Sequence, residues 1–154
     1  LQIYTQENVV FILMIMRYMG IDHGDHRMGI AVSDAGGTIA FPKKVILKSP
    51  GTFKEIREFA EAESVSKIVI GLPLGSDGGD TEQARQVREF AQALHREIML
   101  PVEFENELLT THLVEKAGIK REHADAAAAA LILQSYLDRK SQVPNRKSQT
   151  NSND

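Results

Sequence analysis

Three acidic residues, far apart in the sequence, have the types and settings from which a divalent-metal site is built. Asp22 closes the apolar run Tyr18–Asp22, and Gly24 stands two residues on. A carboxylate at a strand end, beside a glycine that lets a phosphate or another backbone approach, is a common foundation for a metal or phosphate site. Glu107 follows the run Val102–Asn106, and Asp125 opens a long Ala-rich segment. Gathered at one place, three such groups raise one another's pKa until something neutralises them. Hard divalent cations with oxygen ligands, Mg²⁺ or Mn²⁺, are the natural neutralisers. Two of them about 4 Å apart activate a water and stabilise the leaving oxygen in phosphodiester cleavage.

Each acid also has a plainer reading. An Asp after a strand forms turns or caps helices. Asp125 at a helix start suits the helix dipole without any metal. Glu103, Glu105 and Glu107 alternate, as residues on the solvent face of an edge strand do. His23 and His26 sit in a turn, where exposure to water is the simpler expectation than ligation. None of the five histidines has H-E-x-x-H spacing, so a zinc-protease reading has no support.

The elements that must position these acids follow from periodicity. Tyr18–Asp22 and Met28–Ser33 are apolar, partly β-branched runs around a polar turn and predict a hairpin. Thr38–Ile46 predicts a third strand, with Pro42 arguing for an edge position. Thr52-Phe53-Lys54-Glu55 has the form of a capping box, followed by an apolar stripe that predicts a helix to about Glu63. Lys67–Gly71 reads as a strand buried on both faces. A Gly/Asp/Ser-rich loop, Leu72–Asp80, leads to a helix that Asp80 caps, with Gln83 as its partner.

Pro101 interrupts, and Val102–Asn106 is a further strand; Thr110–Ala117 is a short helix ending before Gly118. The last helix runs from Ala124 to about Arg139 and is apolar almost all round. Its run Ala126–Ala130 has high helix propensity. The same small side chains let it approach a sheet closely. Three strands followed by strand–helix alternation predict an α/β domain: a five-stranded mixed sheet, an antiparallel three-strand meander plus two parallel strands, flanked by helices. Ligands of open α/β sheets gather at the C-terminal ends of the parallel strands, where the first, fourth and fifth strands would meet.

The totals set bounds. The chain has 154 residues with 42% hydrophobic content, enough for one domain with its own core. Net charge is -3, so composition does not itself call for nucleic acid, although a local basic patch is compatible with it. There is no cysteine, which excludes disulfides and thiolate zinc sites and fits a reducing compartment. Residues 1–15 are expected to be an N-terminal extension, 16–140 the domain, and 141–154 a disordered polar tail. Val9–Met16 is unbroken apolar sequence, far short of the roughly 20 residues a membrane span needs; no membrane partner is expected.

Four separated segments resemble one family. Met16–Asp34 is similar to the opening of the YqgF/RuvX proteins, bacterial members of the RNase H-like superfamily related to RuvC Holliday-junction resolvases. Ile70-Gly71-Leu72-Pro73-Leu74 with Asp77-Gly78 and Gln83–Phe90 resembles the family's middle. Glu107-Leu108-Leu109-Thr110-Thr111 resembles its Asp-Glu-Arg-x-Thr-Thr element, and Asp125–Asp138 its closing helix. The resemblance implies an RNase H-like fold and a two-metal nuclease associated with maturation of the 16S ribosomal RNA precursor. Asp22, Glu107 and Asp125 then match the catalytic, metal-holding acids. Arg27 matches the family's turn arginine, a phosphate or hairpin contact, and Thr110 and Thr111 match its paired hydroxyls.

The chain departs from the pattern at His23 (proline is usual), Asp25 (threonine), Asn106 (aspartate) and Leu108 (arginine). Placement adds Lys43, Lys44, Arg85 and Arg88 to Arg27 as candidates for the nucleic-acid backbone. The leading expectation is a metal-dependent nuclease of structured RNA. Its partners would be precursor rRNA or branched DNA and ribosomal particles, and it would act as a monomer or homodimer. The alternatives are a junction-resolving DNA nuclease and an RNA- or ribosome-binding module that has lost the chemistry. ATPases of the actin/sugar-kinase type open similarly but need two such halves, and this length accommodates one.

Overall fold

The computed structural model describes residues 16–107, 118 and 120–142. The expected helix Thr110–Ala117, with Thr110 and Thr111, lies outside the described residues, as does residues 1–15. The sheet has five strands: β1 (Arg17–His23), β2 (Arg27–Ser33), β3 (Ala40–Leu47), β4 (Val65–Leu72) and β5 (Val102–Asn106). Their spatial order is β3-β2-β1-β4-β5. β1, β2 and β3 pair antiparallel, and β4 and β5 run parallel to β1. This is the mixed α/β sheet that the hydrophobic pattern predicts.

Side-chain alternation sorts the strands onto two faces. Met19, Ile21, Met28, Ile30, Ile68 and Ile70 point to one face, where α1 (Thr52–Ala62) and α2 (Glu82–Ile98) cover them. Tyr18, Ala31 and Val69 point to the other, under α3 (Arg121–Gln142). Ala129, Ile132, Leu133, Tyr136 and Leu137 of α3 are buried there, and fully burying each Ile or Leu contributes about 1.5–3 kcal/mol. Because α1 and α2 follow one face and α3 the other, β1 is covered on both.

Glycine decides how closely α3 lies. A Cβ at Gly29 would stand 1.7 Å from the backbone oxygen of Asp125, and one at Gly20 would stand 2.7 Å from that of Ala129. The helix backbone therefore rests on strand backbone, as its Ala126–Ala130 run allows. Pro42 falls on outer strand β3, beside a register shift, where a missing N–H is tolerated.

Several local expectations are corrected. Thr52 is the first residue of α1, not its cap. Its hydroxyl accepts from the Ser49 N–H at 2.9 Å, and Glu55 pairs with Lys44 at 2.5 Å, so the capping box does not close. Thr81, rather than Asp80, caps α2 by accepting from the Ala84 N–H at 3.0 Å. Asp80 pairs with Arg88. The last helix begins at Arg121, three residues before Ala124, and continues through Gln142, two residues into the expected tail. The remainder of that tail lies outside the described residues.

The acids of β5 do not both face solvent: Glu103 is exposed, but Glu105 lies under α3 and is only 7% exposed. Arg139 donates to Glu105 at 2.6 Å and Ser135 at 3.1 Å; Tyr136 and Lys67 donate to Glu103 at 2.5 Å and 2.6 Å. Burial and the Glu103 hydrogen bond push the Tyr136 hydroxyl up to about 12. This polar seam fixes α3 across the β5 edge, where there is little apolar surface to hold it.

Candidate functional site

Asp22 belongs to the α3 face by parity: Tyr18, Gly20 and Asp22 alternate with Met19 and Ile21 on the other. Its cross-strand partner is Gly29, the residue on which the Asp125 backbone rests. The close packing of α3 thus brings Asp125, in the second turn of the helix rather than at its opening, over the end of β1. Glu107 comes from the far side. Its N–H donates to the Leu72 carbonyl at 3.2 Å, extending the β4–β5 ladder past the strand end. A Cβ at Gly71 would lie 2.0 Å from Glu107 Oε1. The Glu107 carboxyl therefore crosses β4 through the space a side chain would fill, and it reaches Asp22.

The two carboxyls share a hydrogen bond. Burial pushes Asp22 up to about 6, with the Asp125 charge adding to the rise and the Glu107 hydrogen bond opposing it. Burial pushes Glu107 up to about 7, with the Asp22 charge and the shared hydrogen bond both adding. The bond lowers one group and raises the other, so the pair keeps one proton between them. Asp125 faces Arg27, the first residue of β2: Arg27 Nε lies 2.5 Å from Asp125 Oδ2. The contact is an ion pair without hydrogen-bond alignment, and that buried oxygen has no aligned donor.

Three carboxyl groups from β1, the end of β5 and α3 thus converge on one rim. Among the described residues no three His, Asp or Glu side chains close into a ready coordination shell. The donors nevertheless suit a hard cation. All are oxygens, two share a proton because both cannot easily ionise together, and the third presents a buried oxygen lacking an aligned partner.

The basic candidates divide. Arg27 and Lys43 lie on the α3 side; Lys43 lines a groove with Pro42, Val45, His123, Ala126 and Ala127, which Lys44 also borders, and Ala126 follows Asp125 on the helix. Lys44 points to the opposite face, paired with Glu55 and 5.6 Å from the centre of the Phe59 ring. Arg85 and Arg88 are on α2, paired with Glu82 at 2.6 Å and with Asp80. His23 corrects the surface expectation: it is 9% exposed, with its ring centred 4.5 Å from that of Phe90. Burial, then the Lys48 charge, lowers it to about 4. His26 is exposed. The glycines that admit α3 and Glu107 were not among the residues singled out from sequence. Their signal was available, since Gly20, Gly29 and Gly71 all stand in strand runs where a glycine marks close approach.

Comparison with known proteins agrees with this architecture. The family model for RuvX, described as Holliday junction resolvase, matches residues 16–139. A protein of Nitratidesulfovibrio vulgaris (strain DSM 19637 / Miyazaki F) named "Putative pre-16S rRNA nuclease" is 41% identical over 133 residues, covering 80% of this chain and 94% of the relative. One of the same name from Maridesulfovibrio salexigens is 40% identical over 134 residues, covering 80% and 99%. Among solved structures, Thermus thermophilus RuvC in complex with a Holliday junction substrate aligns with a TM-score of 0.53 at 17% identity, covering 83% of this chain and 98% of that one. At that identity the likeness shows the shared RNase H-like fold.

Proposed function

This chain belongs to the RuvX family, a nuclease family described as Holliday junction resolvases, and from that membership we propose that it is a metal-dependent endonuclease of structured RNA acting in 5′-end maturation of the 16S rRNA precursor. The observation that carries the metal dependence is the convergence of Asp22, Glu107 and Asp125, with two carboxyls sharing a proton. The names of the curated relatives support the substrate class.

Asp22, Glu107 and Asp125 would hold Mg²⁺ or Mn²⁺, which when bound supplies an activated water and neutralises charge at the phosphate. The residues of the chain do the rest. The proton that Asp22 and Glu107 hold between them would pass to solvent as both carboxylates are engaged. Arg27 and Lys43, on the same face, hold the phosphate backbone and set the strand along the β3–α3 groove. Lys44, Arg85 and Arg88 would be met by a substrate that wraps past the rim, and Thr110 and Thr111 are further contacts on the family resemblance alone. Precursor particles of the ribosome are the corresponding partners, and the cytoplasm the place; no helix among the described residues is long and apolar enough to cross a membrane.

The test is cleavage of an end-labelled precursor 16S leader and of a four-way DNA junction, each with Mg²⁺, Mn²⁺ or chelator, by wild type and Asp22→Asn. Metal-dependent RNA cleavage that Asp22→Asn abolishes is the expected result. Equal rates for the two proteins overturn the catalytic assignment. The family description supports a second reading: metal-dependent cleavage confined to the junction would make the protein a resolvase. That reading needs a symmetric dimer to cut two strands, whereas one RNA strand needs a single site, so the mass in solution separates the two as well.

A further inference from the structure

Arg27 has a relation to Asp125 that a simple phosphate contact or hairpin brace does not explain. Its backbone is fixed, because the Arg27 carbonyl accepts from the Gly24 N–H at 3.0 Å across the β1–β2 turn. Its side chain is 45% exposed, whereas that of Asp125 is 26% exposed. A guanidinium that braces a carboxylate permanently makes a two-pronged, aligned pair. Here Nε stands at 2.5 Å from Oδ2, yet no aligned hydrogen bond reaches that oxygen. The pair is held by charge rather than by directional bonds, with the guanidinium open to solvent on its other side.

We infer that Arg27 is a displaceable countercharge: it neutralises Asp125 while the site holds no cation, and it is released to grip the substrate phosphate when a divalent ion takes Asp125. The inference rests on the reading of Asp22, Glu107 and Asp125 as metal ligands. A divalent ion and the Arg27 guanidinium compete for the same buried oxygen, and like charges repel at that range. The released guanidinium stays tethered within one side-chain length of the ion and meets a phosphate with its planar fork. Cation loading and phosphate capture then become coupled events, and each site affects the affinity of the other by the same factor. Arg27 acts on the cation as a positioning residue and on the substrate as a direct contact.

The experiment is Mn²⁺ titration calorimetry of the full chain, without nucleic acid, on wild type, Arg27→Gln, Arg27→Ala and Asp22→Asn, with circular dichroism to confirm folding. Removing the competitor should tighten Mn²⁺ binding by roughly fivefold or more in both Arg27 variants, the lower end of ordinary coupling between sites. A second arm measures binding of a phosphorothioate RNA that resists cleavage, with and without Mn²⁺. Wild type should gain affinity on adding Mn²⁺, and the Arg27 variants should lose most of that gain. Unchanged or weaker Mn²⁺ binding in both Arg27 variants, while Asp22→Asn binds less Mn²⁺ than wild type, overturns the role of Arg27 and leaves the metal site standing. Equal Mn²⁺ binding by wild type and Asp22→Asn overturns the metal-site reading and this inference together.

Discussion

Replacing Asp22 by Asn should make the metal-free protein more stable, and increasingly so as pH rises. Asp22 is held at about 6 by burial and by the Asp125 charge, against an ordinary 3.8. The unfolded chain gives up this proton near pH 4, whereas the folded chain keeps it to about pH 6, so rising pH favours unfolding across that window. A shift of roughly two units corresponds to about 3 kcal/mol at full ionisation, of which about 1 kcal/mol is already lost by about pH 4.5. The stability difference between Asp22→Asn and wild type should therefore widen by about 2 kcal/mol from about pH 4.5 to about pH 8.

The wild-type profile alone does not isolate the effect. His23, lowered to about 4 from 6.5, runs the other way: its contribution is present above 6.5 and is lost as pH falls toward 4. It is common to both proteins and drops out of the difference. An Asn at position 22 still has an amide that hydrogen-bonds Glu107, so geometry is kept while a charge is removed. The assay is urea unfolding of both proteins in chelator at the two pH values. Parallel pH dependences would refute the claim that Asp22 is destabilised by its surroundings, and with it the physical case for a cation there.

Four further outcomes follow from the same geometry. Gly29→Ala drives a methyl into the Asp125 backbone, and overpacking of about 3 kcal/mol or more should appear as a lowered melting temperature together with lost Mn²⁺ binding. Leu133→Ala, at a fully buried α3 position, should cost about 2–5 kcal/mol in urea unfolding while leaving Mn²⁺ stoichiometry at the folded protein unchanged. Mn²⁺ at about 100 times its dissociation constant should stabilise wild type by about 2.7 kcal/mol, with chelator reversing the gain and Asp22→Asn showing little of it. RNA binding should weaken steeply with salt, and Lys43→Ala should reduce the slope of that dependence by about 1.

The local signals that survived folding are those that burial enforces. Alternation in Tyr18–Asp22 and Met28–Ser33 and the continuous apolar run in β4 specified strands, because each residue had a core to face. The edge position of Pro42 was legible for a different reason, its missing N–H. Capping residues were less so. Thr52 and Asp80 carry the right chemistry for caps, but Glu55 and Asp80 found cations in Lys44 and Arg88, and such choices among neighbours depend on tertiary placement. His23 was misplaced because a turn motif does not reveal which face its last strand residue takes; parity sends it to Phe90, away from Asp22.

The sequence by itself determined the order of the described strands and helices, the apolar faces, and the placing of Asp22 and Glu107 at strand ends, since these are properties of neighbours along the chain. Only the tertiary structure decided that Asp22 and Glu107 share a proton, that Asp125 meets Arg27, and that Glu105 is buried beneath α3. Those outcomes depend on how near the last helix comes to the sheet. That distance is set by missing side chains at Gly20, Gly29 and Gly71, and a gap acquires meaning only when the element that fills it is in place.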